Sequence, residues 1–176
     1  MANGDLRTYL SSEKSISFFQ QVKWMIDIAN GMIYLELQRI IHKDLATRNV
    51  LLGENLEAKV ADFGLSRILN ENGDFITSIR KVGPVKWMAP ESVWESKYSF
   101  KSDVWSFGVT CREILTRESP VYSCDRFKPP QFREKMTFPD FSPTDLSDLI
   151  MSCFGDTPDD RPTFKEILQK LQQVKS

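Results

Sequence analysis

The sequence predicts a mainly α-helical domain carrying one small β-hairpin. An apolar stripe at helical spacing fills residues 16–37, two short apolar runs within residues 50–61 flank a turn, and beyond Pro90 only helical patterns and connections follow. With no internal repeat, low-complexity tract or long Gly/Ser linker, the 176 residues read as one compact unit, long enough to bury a sizeable core.

In the first stripe Phe18, Val22, Met25, Ala29 and Met32 recur at steps of 4, 3, 4 and 3, which places them on one face of a long core-facing helix. The runs Val50-Leu51-Leu52 and Lys59-Val60-Ala61 enclose GENLEA, where Gly53 and Asn55 supply turn chemistry, so they read as the strands of a hairpin. No other strand is expected. In SDVWSFGVTCREILT, Val104, Gly108, Cys111 and Leu115 share one face of a helix apolar enough to be central. SPTDLSDLIMSCF offers Ser142 as N-cap, Pro143 at the first helical position and Asp145 in the first turn, ahead of Leu146, Leu149, Ile150 and Cys153. The last helix, TFKEILQKLQQV, has Thr163 and Glu166 at capping-box spacing before Phe164, Ile167, Leu168 and Leu171.

Composition narrows the function classes. With 41% hydrophobic residues, 27% charged residues and a formal net charge of -1, the chain is an ordinary globular one without a global attraction for polyanions, so no nucleic-acid partner is expected. Three widely spaced cysteines, Cys111, Cys124 and Cys153, form no CxxC pair and indicate neither a disulfide framework nor a zinc site, which fits a reducing, cytoplasmic setting. No apolar run reaches membrane-span length and MANGDLRTYL lacks a signal pattern, so no membrane segment is expected.

The chemistry is concentrated between the long helix and Glu91. His42-Lys43-Asp44-Leu45-Ala46-Thr47-Arg48-Asn49 precedes the hairpin, Asp62-Phe63-Gly64 begins 13 positions after Asn49, and Ala89-Pro90-Glu91 ends 29 positions after Asp62. A lone loop Asp is usually a turn or cap residue. Several acidic and amide oxygens in this order instead suit phosphoryl transfer, which needs positioned charge more than covalent chemistry. Asp44 is placed to accept or orient a hydroxyl proton, Asn49 and Asp62 offer hard oxygen ligands for Mg²⁺, and Arg48 suits acceptor or phosphate oxygens.

These segments resemble the catalytic loop, the DFG and the APE of protein kinases, and the resemblance runs from Leu6 to Leu171. It implies a protein-kinase-like C-terminal lobe, part of an α+β superfamily, with ATP as phosphoryl donor, Mg²⁺ as cofactor and a protein as substrate. It makes Asp44 the catalytic base with Arg48 and Asn49 beside it, Asn49 and Asp62 the metal ligands, and Leu51 an adenine contact, although hairpin core suits Leu51 equally. His42 stands beside Ile40 and Ile41 with no partner His or Cys, and the resemblance implies a packed core histidine, not a base or ligand. Phe63, next to Gly64, is implied to be a packing element whose position sets active or inactive states. Glu91 and Arg161 are implied to form a buried ion pair. For Asp103 the resemblance implies hydrogen bonds to the backbone around His42, against the simpler reading of a favourable charge at a helix start.

Ala46 stands where Ser/Thr kinases usually carry Lys, and PVKWMAPES, residues 84–92, resembles the substrate platform of tyrosine kinases, so the resemblance favours a tyrosine acceptor. The longer stretch IRKVGPVKWMAPES is also similar to tyrosine-kinase-like proteins that act on Ser/Thr or on both. There are departures from the family. Lys43 replaces the usual arginine, which reduces a bidentate contact to a phosphorylated activation segment to one ammonium contact. No tyrosine lies between Asp62 and Glu91, which excludes activating tyrosine phosphorylation there. Ser66, Thr77 and Ser78 remain as hydroxyls that Arg67, Arg80 and Lys81 would pair with once phosphorylated, in what reads as a solvated polar loop. The segment between Pro120 and Phe154 is short for the family and leaves little room for the usual substrate-side helix.

None of the eight glycines forms a GxGxxG, and no VAIK-like lysine precedes the long helix, so residues 1–176 resemble the C-terminal lobe without the nucleotide-clamping N-terminal lobe. Orientation of bound reactants contributes roughly 7–11 kcal/mol to a barrier. The polypeptide alone is therefore expected to have negligible kinase activity and to need an N-terminal lobe or another kinase chain as partner. The alternative is a non-catalytic module that binds the substrates or partners of full kinases.

Overall fold

The computed structural model describes residues 2–13, 15–69, 73, 76–77, 84–123 and 128–174; Ser78, Arg80, Lys81 and Cys124 lie outside them. In chain order the elements are α1 (Leu6–Ser12), α2 (Phe18–Leu37), β1 (Ile40–Ile41), β2 (Val50–Leu52), β3 (Ala58–Val60), β4 (Arg67–Ile68), β5 (Ile76–Thr77), α3 (Pro90–Trp94), β6 (Lys97–Tyr98), α4 (Phe100–Thr116), α5 (Pro129–Glu134), α6 (Thr144–Ser152) and α7 (Phe164–Leu171). The architecture is mainly α-helical with small antiparallel ladders, as expected of a kinase C-terminal lobe.

Two helices organise the core. α2 starts at Ser17, whose hydroxyl accepts from the Gln20 amide, and buries Val22, Trp24, Met25, Ile28, Ala29, Met32 and Leu35. The apolar stripe is thus its inner face. In α4 every residue from Ser102 to Leu115 is buried. A helix with no solvent face takes the centre of a domain, and its few charged side chains must find partners inside. Ser99 and Ser102 close a capping box at the N-terminus of α4, and α6 comes so near that a Cβ on Gly108 would lie 2.8 Å from the Cys153 Cβ. Around this contact Trp105, Phe132 and Phe154 pack with ring centroids 5.0–5.3 Å apart. Cys111 and Cys153 are buried free thiols, and burial pushes Cys153 up to about 12, which leaves it protonated and inert.

The hairpin forms with Val50 opposite Val60, Leu51 opposite Lys59 and Leu52 opposite Ala58. It docks on α2 through a Trp24 indole bond to the Leu56 carbonyl (2.8 Å) and an Ala58 amide bond to Asp27 (3.0 Å). It is not the only ladder, which corrects the expectation from sequence. β1 pairs with β4 and β5 with β6, two residues each. Ladders this short have no periodicity to read; they form because the helices bring distant segments side by side. Ser142 is a second correction. α6 begins at Thr144 with Pro143 as its N-cap residue, so Ser142 lies one position too early to reach the orphan amides, and its buried hydroxyl has no partner among the described residues. The Thr163–Glu166 box on α7 forms as expected. Between Pro120 and Phe154 the described residues before α6 carry only the six-residue α5. Among the described residues no helix is long and apolar enough to cross a membrane.

Candidate active site

Pairing of β1 with β4 delivers the chain to His42, and there α4 takes hold of it. The Asp103 carboxylate accepts from the His42 amide (2.8 Å) and the Lys43 amide (3.0 Å). Both readings of Asp103 meet here, since it also stands in the first turn of α4. Burial pushes its carboxyl up to about 7, against the two amide bonds and the Lys43 charge, which favour the ionised form. Lys43 has φ of 70°, a left-handed conformation that a long side chain adopts only when its surroundings enforce it, and the hydrogen bonds that the His42 and Lys43 amides donate to Asp103 do so.

Asp44 is then held at three points. Its amide donates to His42 Nδ1 (3.2 Å), its carbonyl accepts from Asn49 Nδ2 (2.7 Å), and its side chain pairs with Arg48 through Oδ1. His42 is fully buried, and its Nε2 bonds the Ala61 carbonyl at 3.0 Å. Because Nδ1 accepts, Nε2 must carry the proton, and the ring is a neutral structural link. Burial lowers its pKa accordingly, while the Ala61 bond and the Asp44 and Asp62 charges oppose. The Arg48 guanidinium lies over the Trp87 ring, 4.6 Å from its centroid. These contacts leave Asp44 Oδ2 free of any protein donor among the described residues.

The hairpin register explains how Asn49 and Asp62 come together. Val50 faces Val60, and the Ala61 amide continues the ladder onto the Asn49 carbonyl at 2.8 Å, so Asp62 leaves β3 beside Asn49. Asp62 turns the chain at φ 59°, a conformation Asp tolerates, and accepts from the Gly64 amide at 3.2 Å. A Cβ on Gly64 would sit 3.2 Å from Asp62 Oδ1, so the turn favours glycine there. The donor set fits Mg²⁺. The Asn49 amide nitrogen is spent on Asp44, which leaves its oxygen without a donor among the described residues, and Asp62 is exposed. Among the described residues no group of three or more His, Cys, Asp or Glu side chains is placed to hold a metal ion, and a two-oxygen contribution matches an ion that keeps waters and takes phosphate oxygens.

Other predicted residues sit as follows. Leu51 is half-exposed between buried Val50 and Leu52, so strand alternation turns it away from the core and removes the hairpin-core reading. Phe63 touches the His42 ring at 5.5 Å between centroids but is 50% exposed, so its packing is only partial. The Lys43 ammonium lies 4.0 Å from the centre of the Tyr98 ring, and burial followed by the Arg67 charge lowers its pKa. Ser66 donates to the His42 carbonyl (3.2 Å), which corrects its reading as part of a solvated loop, whereas Thr77 lies in β5 and stays exposed to solvent. Glu91 and Arg161 meet in a bidentate pair (2.7 and 2.8 Å), apart from the Asp44 cluster.

Sequence reasoning missed Glu113. It is 2% exposed and accepts from the Thr47 amide (3.2 Å), the Thr47 hydroxyl (3.1 Å), the Trp87 indole (2.8 Å) and Arg7 (3.2 Å). Burial raises its pKa against these bonds. The signal was present: an acidic residue in the last turn of the most buried helix opposes the helix dipole, so it must be held by something else.

The family model for protein tyrosine and serine/threonine kinases matches residues 1–171. The chain is 38% identical to human Tyrosine-protein kinase FRK over 98% of its own length and 36% of that protein's. It is 40% identical to Protein-tyrosine kinase 6 of Mus musculus, covering 99% of this chain and 40% of that protein. With human Tyrosine-protein kinase Fer it shares 38% identity over 99% of this chain and 22% of that protein. It therefore spans well under half the length of these relatives. With its Asp44 loop, its Asp62-Phe63-Gly64 turn and its Ala89-Pro90-Glu91 segment assembled as described, the chain belongs to the protein tyrosine and serine/threonine kinase family.

Proposed function

We propose that the protein transfers the γ-phosphoryl group of ATP to a tyrosine hydroxyl of a protein substrate, and that residues 1–176 form the acceptor and magnesium side of that active centre, the C-terminal lobe. The observation that carries this reading is the three-point hold on Asp44 beside Asn49 and Asp62. Asp44 Oδ2 accepts the acceptor hydroxyl's proton or aligns its lone pair, while Oδ1 stays on Arg48. The His42 and Asn49 side chains clamp the Asp44 backbone and Arg48 holds its carboxylate, and positioning of this kind lowers a barrier. Asn49 and Asp62 would hold Mg²⁺, which when bound would neutralise phosphate charge. The outward-turned Leu51 contacts the adenine ring. Ala46 at the Ser/Thr-kinase lysine position and the tyrosine-kinase names of the relatives support tyrosine over serine or threonine. We place the protein in the cytoplasm, where ATP is available and the thiols stay reduced.

The test is phosphoryl transfer to peptides that differ only in carrying Tyr, Ser or Thr. It is run on the chain alone and on the chain joined to the nucleotide-binding lobe of a tyrosine kinase such as Fer. The chain alone is expected to show negligible transfer. The joined protein is expected to modify the Tyr peptide and to lose at least about a hundredfold in rate on Asp44→Asn. Preference for Ser or Thr, or full activity in the Asp44→Asn protein, would overturn the proposal.

A further inference from the structure

We propose that Glu113 is the positioning residue of the acceptor side, fixing from α4 the Trp87 platform on which Arg48 lies and hence the direction of the Arg48–Asp44 pair. The inference rests on the reading of Asp44 and Arg48 given above. Four donors converge on one carboxylate. Oε2 takes the Trp87 indole and the Thr47 amide, and Oε1 takes the Thr47 hydroxyl and Arg7. The donors come from α1, from the loop that carries Asp44 and from the segment leading into α3, so this side chain joins three separate stretches of chain. Its one ionic partner among the described residues, Arg7, is 38% exposed on its side chain, whereas Glu113 is nearly sealed. A buried carboxylate with so little ionic compensation is costly, and packing alone would be served by an apolar residue.

What the carboxylate secures is the indole. Trp87 is only half-buried, so packing leaves its ring free on one side, and its N–H bond to Glu113 fixes the ring plane. Its backbone is pinned too, since the Ser106 hydroxyl donates to the Trp87 carbonyl at 2.7 Å. The Arg48 guanidinium lies 4.6 Å from the centre of that ring and pairs with Asp44 Oδ1. A planar cation on a fixed aromatic face has one preferred orientation, so the order runs from Glu113 to Trp87 to Arg48 to Asp44.

Gln at position 113 keeps one acceptor oxygen for Trp87 and the Thr47 amide, because its NH₂ fits opposite the Thr47 hydroxyl, which can turn to accept, and Arg7 can swing into solvent. Leu at position 113 keeps none. The test reads nitrogen-bound protons by NMR on the 176-residue chain, so it can fail while the kinase reading stands, and the reverse. In wild type and Glu113→Gln the Trp87 indole signal is expected to sit downfield and the Arg48 guanidinium protons to exchange slowly. In Glu113→Leu the indole signal is expected to move upfield and the Arg48 protection to be lost. Should Glu113→Leu not fold, Trp87→Phe serves, since it keeps a flat ring at a half-exposed position but removes the bond to Glu113; loss of Arg48 protection is expected there too. Arg48 protection unchanged in whichever of these two variants folds, or lost equally in Glu113→Gln, would overturn the inference.

Discussion

Removing Glu91 should cost this domain about 3 kcal/mol, and the structure shows where that figure comes from. The Arg161 side chain has no solvent exposure and spends its donors on four acceptors: the two Glu91 oxygens at 2.7 and 2.8 Å, the Lys101 carbonyl at 3.0 Å and the Gly155 carbonyl at 3.2 Å. Its guanidinium also lies 5.1 Å from the centre of the Trp105 ring. Glu91→Leu leaves a full charge in a dry site with the two shorter bonds gone, a situation that typically costs roughly 3–5 kcal/mol. The surviving carbonyl bonds and the indole face put the expectation at the low end. If the loss comes from the stranded charge, removing the charge as well should restore most of it. The double variant Glu91→Leu/Arg161→Met should lie only about 1–2 kcal/mol below wild type, the cost of the Lys101 and Gly155 carbonyls each losing the guanidinium as a donor. Urea unfolding followed by tryptophan fluorescence measures both, with an unchanged m-value as the check that the unfolded state is the same. A single variant within about 1 kcal/mol of wild type, or a double variant as unstable as the single, would refute the reasoning.

Four further outcomes follow from particular contacts. His42 has its pKa held below 6.5 in the folded chain by burial, so its contribution is complete above pH 6.5 and is lost as pH falls through the folded value. Thermal unfolding between about pH 7.5 and about pH 5.5 should show that loss, and His42→Gln should flatten the slope. Gly108→Ala puts a Cβ 2.8 Å from Cys153 and 2.9 Å from the Phe154 ring, and should destabilise by about 1–3 kcal/mol in urea unfolding. Ser99→Ala removes the capping box of α4 and should cost about 1 kcal/mol, while Ser142→Ala, at a hydroxyl without a partner, should change stability by less than about 0.5 kcal/mol. Asp44→Asn, which keeps the side chain's shape but not its charge, should cut transfer to a tyrosine peptide in the joined protein by at least about a hundredfold without lowering its melting temperature by more than a few degrees.

Local patterns in the sequence determined a good deal. The stripe of α2, the β2–β3 hairpin and the Thr163–Glu166 box rest on spacings of a few residues, which sequence displays directly. The grouping of the candidate site was equally legible, because Asp44, Asn49 and Asp62 lie close along the chain and the hairpin register carries Asn49 and Asp62 together. Only the tertiary structure decided the rest. β1 meets β4 and β5 meets β6 in two-residue ladders that leave no periodic trace. Leu51 faces outward because its strand neighbours face in, and the Lys43 ammonium goes to the Tyr98 ring because β6 passes beneath the loop. Above all, Glu113 collects donors from residues 7, 47 and 87, none of which its own sequence neighbourhood announces. Sequence spacing reveals which groups share one helix or hairpin; which distant donors a buried charge gathers depends on how those elements pack, since a carboxylate taken out of water is tolerable only where the fold brings enough hydrogen bonds to it.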